Sequence, residues 1–592
     1  MKPALTIIAC LFTLNVLASN ELTTTISGRV VNEETGEGLP GVHIILEDLH
    51  IGTVTDGYGT FVLKAVPVGD HRVTVKMVGY STVSETMSLD QGVELEFKLK
   101  EELYVLRGAL VQANSITGGM TKVSDLTGSA HYISPKELEK FSYNDIHRIL
   151  RNIPGVNIQD EEGFGLRPNI GFRGTGVERS SKITLMEDGI LMAPAPYVAP
   201  AAYYFPTTGR MQGIEVRKGS SQIKYGPYTT GGALNLMSTA IPNDFFGRVN
   251  LFGGSYGQRG VHAFVGDAGK HFGFVGETYQ SASNGFKELD NGGNTGFRTE
   301  DYLFKLRYHT SEEAKVFQSL TFKAGKYIET SNETYLGLTD EDFAVNPFRR
   351  YAASQNDLMQ TDQSQLVLTH FIQPISNLSI STSVYRTDFA RNWYKLDKVK
   401  SADSIGYVGI ANILEDPQTY SSEYGILTGN TSQLDDALTL KANNRAYYAQ
   451  GIQSQAQLEL PGANIDQLIE FGFRYHQDQI DRFQWVDKYR MEDGSLKLSE
   501  AGIAGTESNR IETAKALALY TQYTFSSDRL KLIPGLRYEN ISISREDYGK
   551  NDPDRTGIDL STRSNTVDVW IPGVGMEYQF NSRMKLISNS TH

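Results

Sequence analysis

Several short strings in this chain have the residue types of reactive sites. Gly253-Gly254-Ser255-Tyr256-Gly257 fits G-x-S-x-G, in which a serine on a strand-to-helix turn attacks an acyl carbon. That elbow requires a helix directly after the serine. Here YGQRGVHAFVG follows, which reads as a turn and a second strand, so acyl transfer is not expected. VGDAGKHFG lacks the spacing and the final Ser or Thr of a phosphate loop, and no G-x-G-x-x-G follows a strand. The doubled Gly231-Gly232 in YGPYTTGGALNLMS precedes no Lys-Ser or Lys-Thr. It reads as a turn packed closely before a strand, Ala233 to Met237. The eleven histidines show no metal-ligand spacing. Acidic runs at 160–162 and around 339–342 read as solvated loops, and Asp56 in TDGYG reads as a turn former. No catalytic residue, metal or cofactor is expected.

The elements around these strings are strands. In YLFKLRYH, Tyr302, Phe304, Leu306 and Tyr308 share one face, opposite Leu303, Lys305 and Arg307. LIEFGFRYH sets Ile469, Phe471, Phe473 and Tyr475 against Glu470, Gly472, Arg474 and His476. ALALYTQYTF repeats the pattern with Leu517, Leu519, Thr521, Tyr523 and Phe525. From about Phe246 onward such strands alternate with polar loops, some as long as 397–440, without a convincing long helix. One apolar face with aromatics toward its ends, and one charged face, predict a transmembrane β-barrel with a polar lumen. Upstream, ISGRVVN, GVHIILED, GTFVLKAV, HRVTVKMVG and VELEFKLK predict a small antiparallel β-sandwich over 25–99. Residues 100–115 read as an extended linker and 116–245 as an α+β unit. Within that unit SPKELEKF carries a helix start at Ser134-Pro135 with Glu137.

Composition limits the rest. A net charge of -13 argues against nucleic acid as a partner. Met1-Lys2, the apolar stretch Ala4 to Leu17 and the small residue Ala18 predict a secretory signal, 1–18, cleaved after Ala18. Cys10, the chain's only cysteine, lies inside this segment. IIAC also has the look of a lipid-attachment box, but the apolar stretch before it is too short. An exported chain without disulfides must rely on strand pairing or a large core.

Two resemblances follow. GRVVNEETGEGLPGVHIILEDLHIGTVTDGYGTFVLKAVPVGDHRVTVKMVGY resembles the carboxypeptidase-regulatory-like domain, without a peptidase site. IPGV, FRG around Arg173, LMEDGI, IEVRKG and YG…GGALN, in that order, resemble the plug of TonB-dependent outer-membrane receptors. DGILMAPAPY and KYGPYTTGGALNL are most similar to ferric-dicitrate-type members. The fold class is then mainly β: an N-terminal sandwich, an α+β plug at 116–245 and an antiparallel barrel at 246–592.

The resemblance implies a non-enzymatic transporter in the outer membrane of a Gram-negative bacterium, with its N-terminal domain periplasmic. TonB, a ferric chelate and outer-membrane lipid are the implied partners. Leu106, Ala109, Leu110, Val111, Gln112 and Ala113 fall where the family carries its TonB box, which pairs with TonB by strand addition. Arg107-Gly108 replace the usual acidic residues, and a plain linker is the alternative. Arg179, Lys182, Tyr197, Arg349 and Arg350 are ligand candidates at the outer mouth, and Arg173, Glu215 and Arg217 are plug–barrel ion-pair candidates. Tyr197-Val198-Ala199-Pro200-Ala201-Ala202 replaces the Gln-rich polarity of dicitrate receptors, a departure that puts citrate itself in question and leaves an iron chelate open. A glycan importer is the rival within the family, and a surface adhesin or passive pore the rival outside it. Family barrels have about 22 strands and need roughly 500 residues. Residues 246–592 supply 347, so the barrel is expected to be incomplete.

Overall fold

The computed structural model describes residues 23–592, apart from 34–35, 50, 78–79, 81, 90–93, 101–128, 142–144, 219–222, 229–230, 312–313, 333, 461, 463–464, 582–583 and 592. The proposed signal and the segment Leu106–Ala113 lie outside the described residues. The chain forms two compact units, Met1–Ala109 and Leu110–His592. No helix among the described residues is long and apolar enough to cross a membrane.

The first unit holds β1 (Thr23–Asn32), β2 (His43–Leu46), β3 (Ile51–Val54), β4 (Thr60–Pro67), β5 (Gly69–Lys76), β6 (Val83–Leu89) and β7 (Glu94–Leu99). They make two sheets, β4-β1-β7 and β3-β2-β5-β6. Alternation decides the faces: Ile26 and Val30 of β1 point into a core with Ile44, Phe61, Val73 and Phe97. The expected all-antiparallel pairing is corrected at one place, where β7 runs parallel to β1. The chain leaves β6 in one sheet and crosses to the other, so it arrives in the direction of β1. Asp56 is a turn former, its carboxylate accepting from the amides of Tyr58 (2.9 Å) and Thr60 (3.0 Å).

The second unit begins with β8 (Ser129–Ile133), α1 (Pro135–Phe141), α2 (Ile146–Leu150), β9 (Val156–Gln159) and β10 (Asn169–Phe172). Ser134 caps α1 as expected: its amide donates to Glu137 Oε2 (2.8 Å), and its Oγ accepts from the Glu137 amide (3.3 Å). Then come β11 (Thr184–Glu187), β12 (Ile190–Leu191), β13 (Met211–Lys218) and β14 (Ala233–Ser238). A five-stranded sheet in the order β12-β11-β14-β13-β8 packs Ile214, Val216, Leu234 and Leu236 against Ile146 and Leu150. The glycine pair sits against its neighbours as its sequence suggests. Gly232 has φ +145°, and a Cβ there would lie 2.4 Å from the Arg217 carbonyl oxygen.

A 15-stranded antiparallel sheet wraps this plug. Its long strands are β15 (Phe246–Gly253), β16 (Arg259–Ala268), β17 (Phe272–Ser283), β19 (Phe297–His309), β20 (Phe317–Ser331), β22 (Leu358–Ile375), β23 (Leu378–Val399), β25 (Leu438–Leu460), β26 (Ile465–Glu492), β28 (Ser508–Ser527), β29 (Leu530–Asp547), β30 (Ser561–Asn581) and β31 (Met584–Thr591). Short strands β18 (Glu288–Leu289), β21 (Arg349–Arg350), β24 (Val408–Gly409) and β27 (Ser495–Glu500) lie in or beside the loops. Among the described residues β15 and β31 each pair on one side only, so the sheet stays open between them.

Connections at one end are short, as at 376–377 and 528–529, and those at the other are long, as at 332–357 and 400–437. The long loops are not merely polar. They carry α3 (Asp340–Val345), α4 (Ile410–Glu415) and α5 (Ser421–Thr428), and Ile410, Ile413, Ile426 and Leu427 close a core with Tyr351 and Leu396.

Candidate ligand site and the plug–barrel seam

Strand register builds a site that no single strand contains. Arg391 of β23 pairs with Arg445 of β25, Arg445 with Arg482 of β26, and Arg482 with Arg510 of β28. All four share the face of buried lumen residues such as Phe389, Tyr447, Ile480 and Ala514, as period-two alternation requires. Neighbouring strands are about 4.8 Å apart, so the row is an arc of roughly 14 Å. Like charges placed opposite each other destabilise a sheet unless something offsets them.

Little in the protein does. Glu512 serves Arg482 (Nε to Oε2, 3.0 Å), Arg545 (Nε to Oε1, 2.8 Å) and, more distantly, Arg510 (3.7 Å). Arg391 donates only weakly to the Tyr447 hydroxyl (3.4 Å) and stacks 3.8 Å over the Tyr203 ring. Arg391 Nη1, Arg445 Nε, Arg510 Nε, Arg179 Nη1 and Trp393 Nε1 are buried donors without an acceptor. Such donors each cost about 1–3 kcal/mol. Arg179 reaches the same cluster from the plug: its guanidinium lies 5.4 Å from the Tyr203 ring and 5.5 Å from Trp393. Lys395 sits 4.2 Å over Trp393 and 4.0 Å over Tyr335. The arrangement can bind a multiply anionic, oxygen-rich group at the long-loop end of the lumen.

Elsewhere the seam between plug and wall is ionic and balanced. Arg210 reaches Asp301 (2.7 Å) on β19 and Glu187 (3.0 Å) within the plug. Lys323 of β20 meets Glu187 (2.8 Å) and Asp188 (2.7 Å). Arg167 meets Glu329 (2.5 Å), and Lys224 pairs with Glu470. On β26, Asp478 accepts from the amides of Tyr197 (2.6 Å) and Val198 (3.2 Å).

Profile comparisons agree with this architecture. Residues 26–111 match the CarboxypepD_reg-like domain, 122–233 the TonB-dependent Receptor Plug Domain, and 219–590 the TonB dependent receptor-like β-barrel, which alone is more than half of the chain. The chain belongs to the TonB-dependent receptors. Members are transporters and receptors rather than enzymes, work with TonB and reside in the outer membrane. The chain is similar to the TonB-dependent receptor SusC of Bacteroides thetaiotaomicron, 24% identical over 340 residues that make up 55% of this chain and 31% of SusC. The TonB-dependent receptor P39 of Formosa agariphila is 30% identical over 165 residues, 28% of this chain and 15% of that protein. The chain thus spans a third or less of these relatives' length. In fold it is similar to the unliganded ferric citrate transporter FecA, at TM-score 0.62 and 19% identity over 80% of this chain and 63% of FecA. The open form of the ferric-catecholate import receptor Fiu from E. coli K12 gives TM-score 0.58 and 13% identity over 79% of this chain and 70% of Fiu.

Of the receptor's sequence-level ligand candidates, Arg179 joins the arc, and its positive φ (+47°) holds it at a tight turn. Lys182 is exposed. Tyr197 is 3% exposed and packs on His476 (5.2 Å) inside the seam, not at the mouth. Arg349 is held by Asp290 (2.7 Å) and Asp342 (2.6 Å), and Arg350 donates to the carbonyl oxygen of Pro347 (3.1 Å). Both brace a loop. The seam candidates also land elsewhere. Arg173 is exposed in a turn (φ +55°), Glu215 accepts from Asn235 within the plug sheet (2.7 Å), and Arg217 stacks on Tyr225 (5.8 Å). The face of β13 opposite its apolar core lies against other plug residues, and period two alone could not distinguish them from the wall.

The acidic runs are not simply solvated. Glu161 pairs with Arg179, and Glu162 accepts from the Leu166 and Arg167 amides. Asp342 accepts from the Tyr351 hydroxyl (2.7 Å) and from Tyr424. Asp145, His147 and Asp160 form the one metal-like trio among the described residues. His147 Nε2 accepts the Asn169 amide (3.3 Å), which leaves the ring proton on Nδ1, facing Asp145 (3.0 Å) and Asp160 (3.1 Å). A protonated ring nitrogen does not ligate a metal, and Arg151 occupies Asp160 (2.8 Å). The trio is a polar cluster whose closest ion pair is the one between Arg151 and Asp160.

Proposed function

We propose that this receptor imports an anionic ferric chelate bearing several carboxylates, bound first by Arg179, Arg391, Arg445, Arg482 and Arg510. The observation that supports this is the lumen-facing row of four arginines with one shared carboxylate. A neutral glycan offers nothing to offset that charge. A passive pore would not retain a plug stitched by buried ion pairs. Arg391 and Trp393 are buried at the loop end, so entry of a ligand requires the outer loops to part. Transfer past the plug then follows a pull from TonB on the segment proposed at Leu106–Ala113, on the periplasmic side with the sandwich.

Titration of the purified receptor with ferric citrate, and separately with a neutral and an acidic oligosaccharide, tests the reading. The chelate is expected to bind with an affinity that falls as salt rises, and to lose about 10–150-fold on Arg391→Ala, one charge-assisted contact being worth ~1.5–3 kcal/mol. Binding of the neutral sugar, unaffected by that substitution, would overturn it. Tight binding of the acidic sugar alone would keep the anion site and replace the iron chelate.

A further inference from the structure

The seam balances its charges except in one place. Arg474 of β26 is 8% exposed. Its Nη1 donates to the Gly226 carbonyl oxygen of the plug (2.6 Å) and its Nε to Gln453 Oε1 on β25 (3.1 Å). Both acceptors are neutral, and they serve two of the five N–H groups of the guanidinium. Carboxylates on the same lumen face are taken by others. Glu470 pairs with Lys224, and Glu539 accepts from Arg537 Nε (2.6 Å). Asp478, four residues along the strand and so about 13 Å away along the backbone, accepts from the Tyr197 and Val198 amides. Among the described residues Arg474 therefore has no counter-charge of its own.

A cavity of about 50 Å³ opens beside this guanidinium. Three cations line it: Lys224 of the plug, Arg474, and Arg537 of β29. Ser381, Ser383 and Tyr520 add hydroxyls, and among the described residues no carboxylate lines it. Register explains the space. Ser383, Gln453, Arg474, Ala518 and Glu539 stand in one row across the wall, and Ala518 leaves open the room that a longer side chain would fill. A second cavity in the seam, of about 70 Å³, makes the contrast. It is lined by Lys305 and Lys323, but also by Glu187 and Asp188, so its charges cancel in place.

We propose that the first cavity binds one inorganic monovalent anion of halide size, held by Arg474 together with Lys224 and Arg537. Charge sets the valence. Lys224, Arg474 and Arg537 bring three positive charges, Glu470 and Glu539 return two, and one is left. A single negative charge restores neutrality where water is scarce, and a dianion would overshoot it. Volume sets the size. A water-sized group needs roughly 10–15 Å³, so a halide with a water or two fits and a whole chelate does not. Bonds from a guanidinium to an anion are stronger than those to the amide and carbonyl that Arg474 now meets. The bound anion then joins the plug at Lys224 to β26 and β29, as a third member of the seam. The site draws on the seam alone, and nothing in it depends on what the arc binds.

Crystals of the receptor soaked in sodium bromide test this, because bromide scatters anomalously. An anomalous peak is expected beside Arg474, and none in the second cavity. In solution, exchange of a bulky sulfonate for chloride at constant ionic strength is expected to raise the melting temperature by about 2 °C. Arg474→Gln should lose most of that rise, whereas Arg391→Ala, which removes a cation of the arc, should keep most of it. Bromide peaks confined to the arc would overturn the site. So would equal peaks in both cavities, which would make room rather than charge the cause, or a chloride rise of the same size in the unsubstituted and Arg474→Gln proteins. If Arg474→Gln does not fold, the bromide map of the unsubstituted receptor decides alone. Ferric citrate titration reads the arc, so the chelate reading and the anion site fail separately.

Discussion

Two bands of the same lumen use the same residue types to opposite ends. In the seam, buried cations meet carboxylates nearly one for one: Arg167 with Glu329, Arg210 with Asp301, Lys323 with Asp188, Lys224 with Glu470. In the arc, Arg482, Arg510 and Arg545 lean on Glu512 alone, and Arg391 and Arg445 form no ion pair among the described residues. A balanced pair in a dry seam holds two surfaces in register. An unbalanced row carries electrostatic cost until a ligand supplies the missing charge. Burial of charge is therefore not by itself the functional signal; the missing counter-charge is.

The difference predicts opposite signs for the same kind of substitution. Arg210→Met should be the most damaging, because it leaves Glu187 and Asp301 with less compensation in a site that is 4% exposed or less. Loss of about 3–5 kcal/mol is expected, read as a lower melting temperature of the purified receptor. An unchanged melt would mean that the seam is wet. Arg445→Ala in the arc should raise stability by up to about 1 kcal/mol, by relieving like-charge neighbours, while chelate binding falls. A destabilised Arg445→Ala protein would place the arc with the seam. Arg349→Ala should cost only about 1 kcal/mol, since its pairs with Asp290 and Asp342 are partly exposed, and should leave chelate affinity unchanged. A large affinity loss there would return the outer loop to the ligand site.

The sequence shows the strands and hides the arc. Alternation in YLFKLRYH and LIEFGFRYH identifies lumen and outer faces because period two is local. Each arc arginine lies in a different strand, in ARNWY, NNRAY, IDRF and SNRI, and only register aligns them. The run IANILE, with apolar residues at helical spacing, offered a signal for the outer-loop core that the surrounding polar residues obscured. Glu215 and Arg217 were legible as the polar face of a plug strand, but whether such a face meets the wall or another plug strand is a tertiary fact. The TonB-binding segment is carried by backbone pairing, which tolerates loose sequence and so leaves a weak trace.

The sandwich, a separate unit, supplies a one-to-one reference pair that can be titrated. His71 is 7% exposed, with Nδ1 facing Asp48 (2.6 Å) and Nε2 facing the Pro67 carbonyl oxygen (2.8 Å). Two acceptors require two donors, so the ring is held as an imidazolium. The hydrogen bond to Asp48 raises its pKa, with burial opposing and the Pro67 carbonyl assisting. A raised folded-state pKa means stability that is fully present below the ordinary histidine value, about 6.5, and is lost as pH rises through the folded value. Thermal melts of the receptor should therefore show the sandwich transition, assigned by its loss of pH dependence in Asp48→Asn, moving down as pH rises above neutrality. A transition that stays level across that window in the unsubstituted protein would show that His71 is neutral, and that one-to-one pairing of a buried cation is not enough to hold its charge.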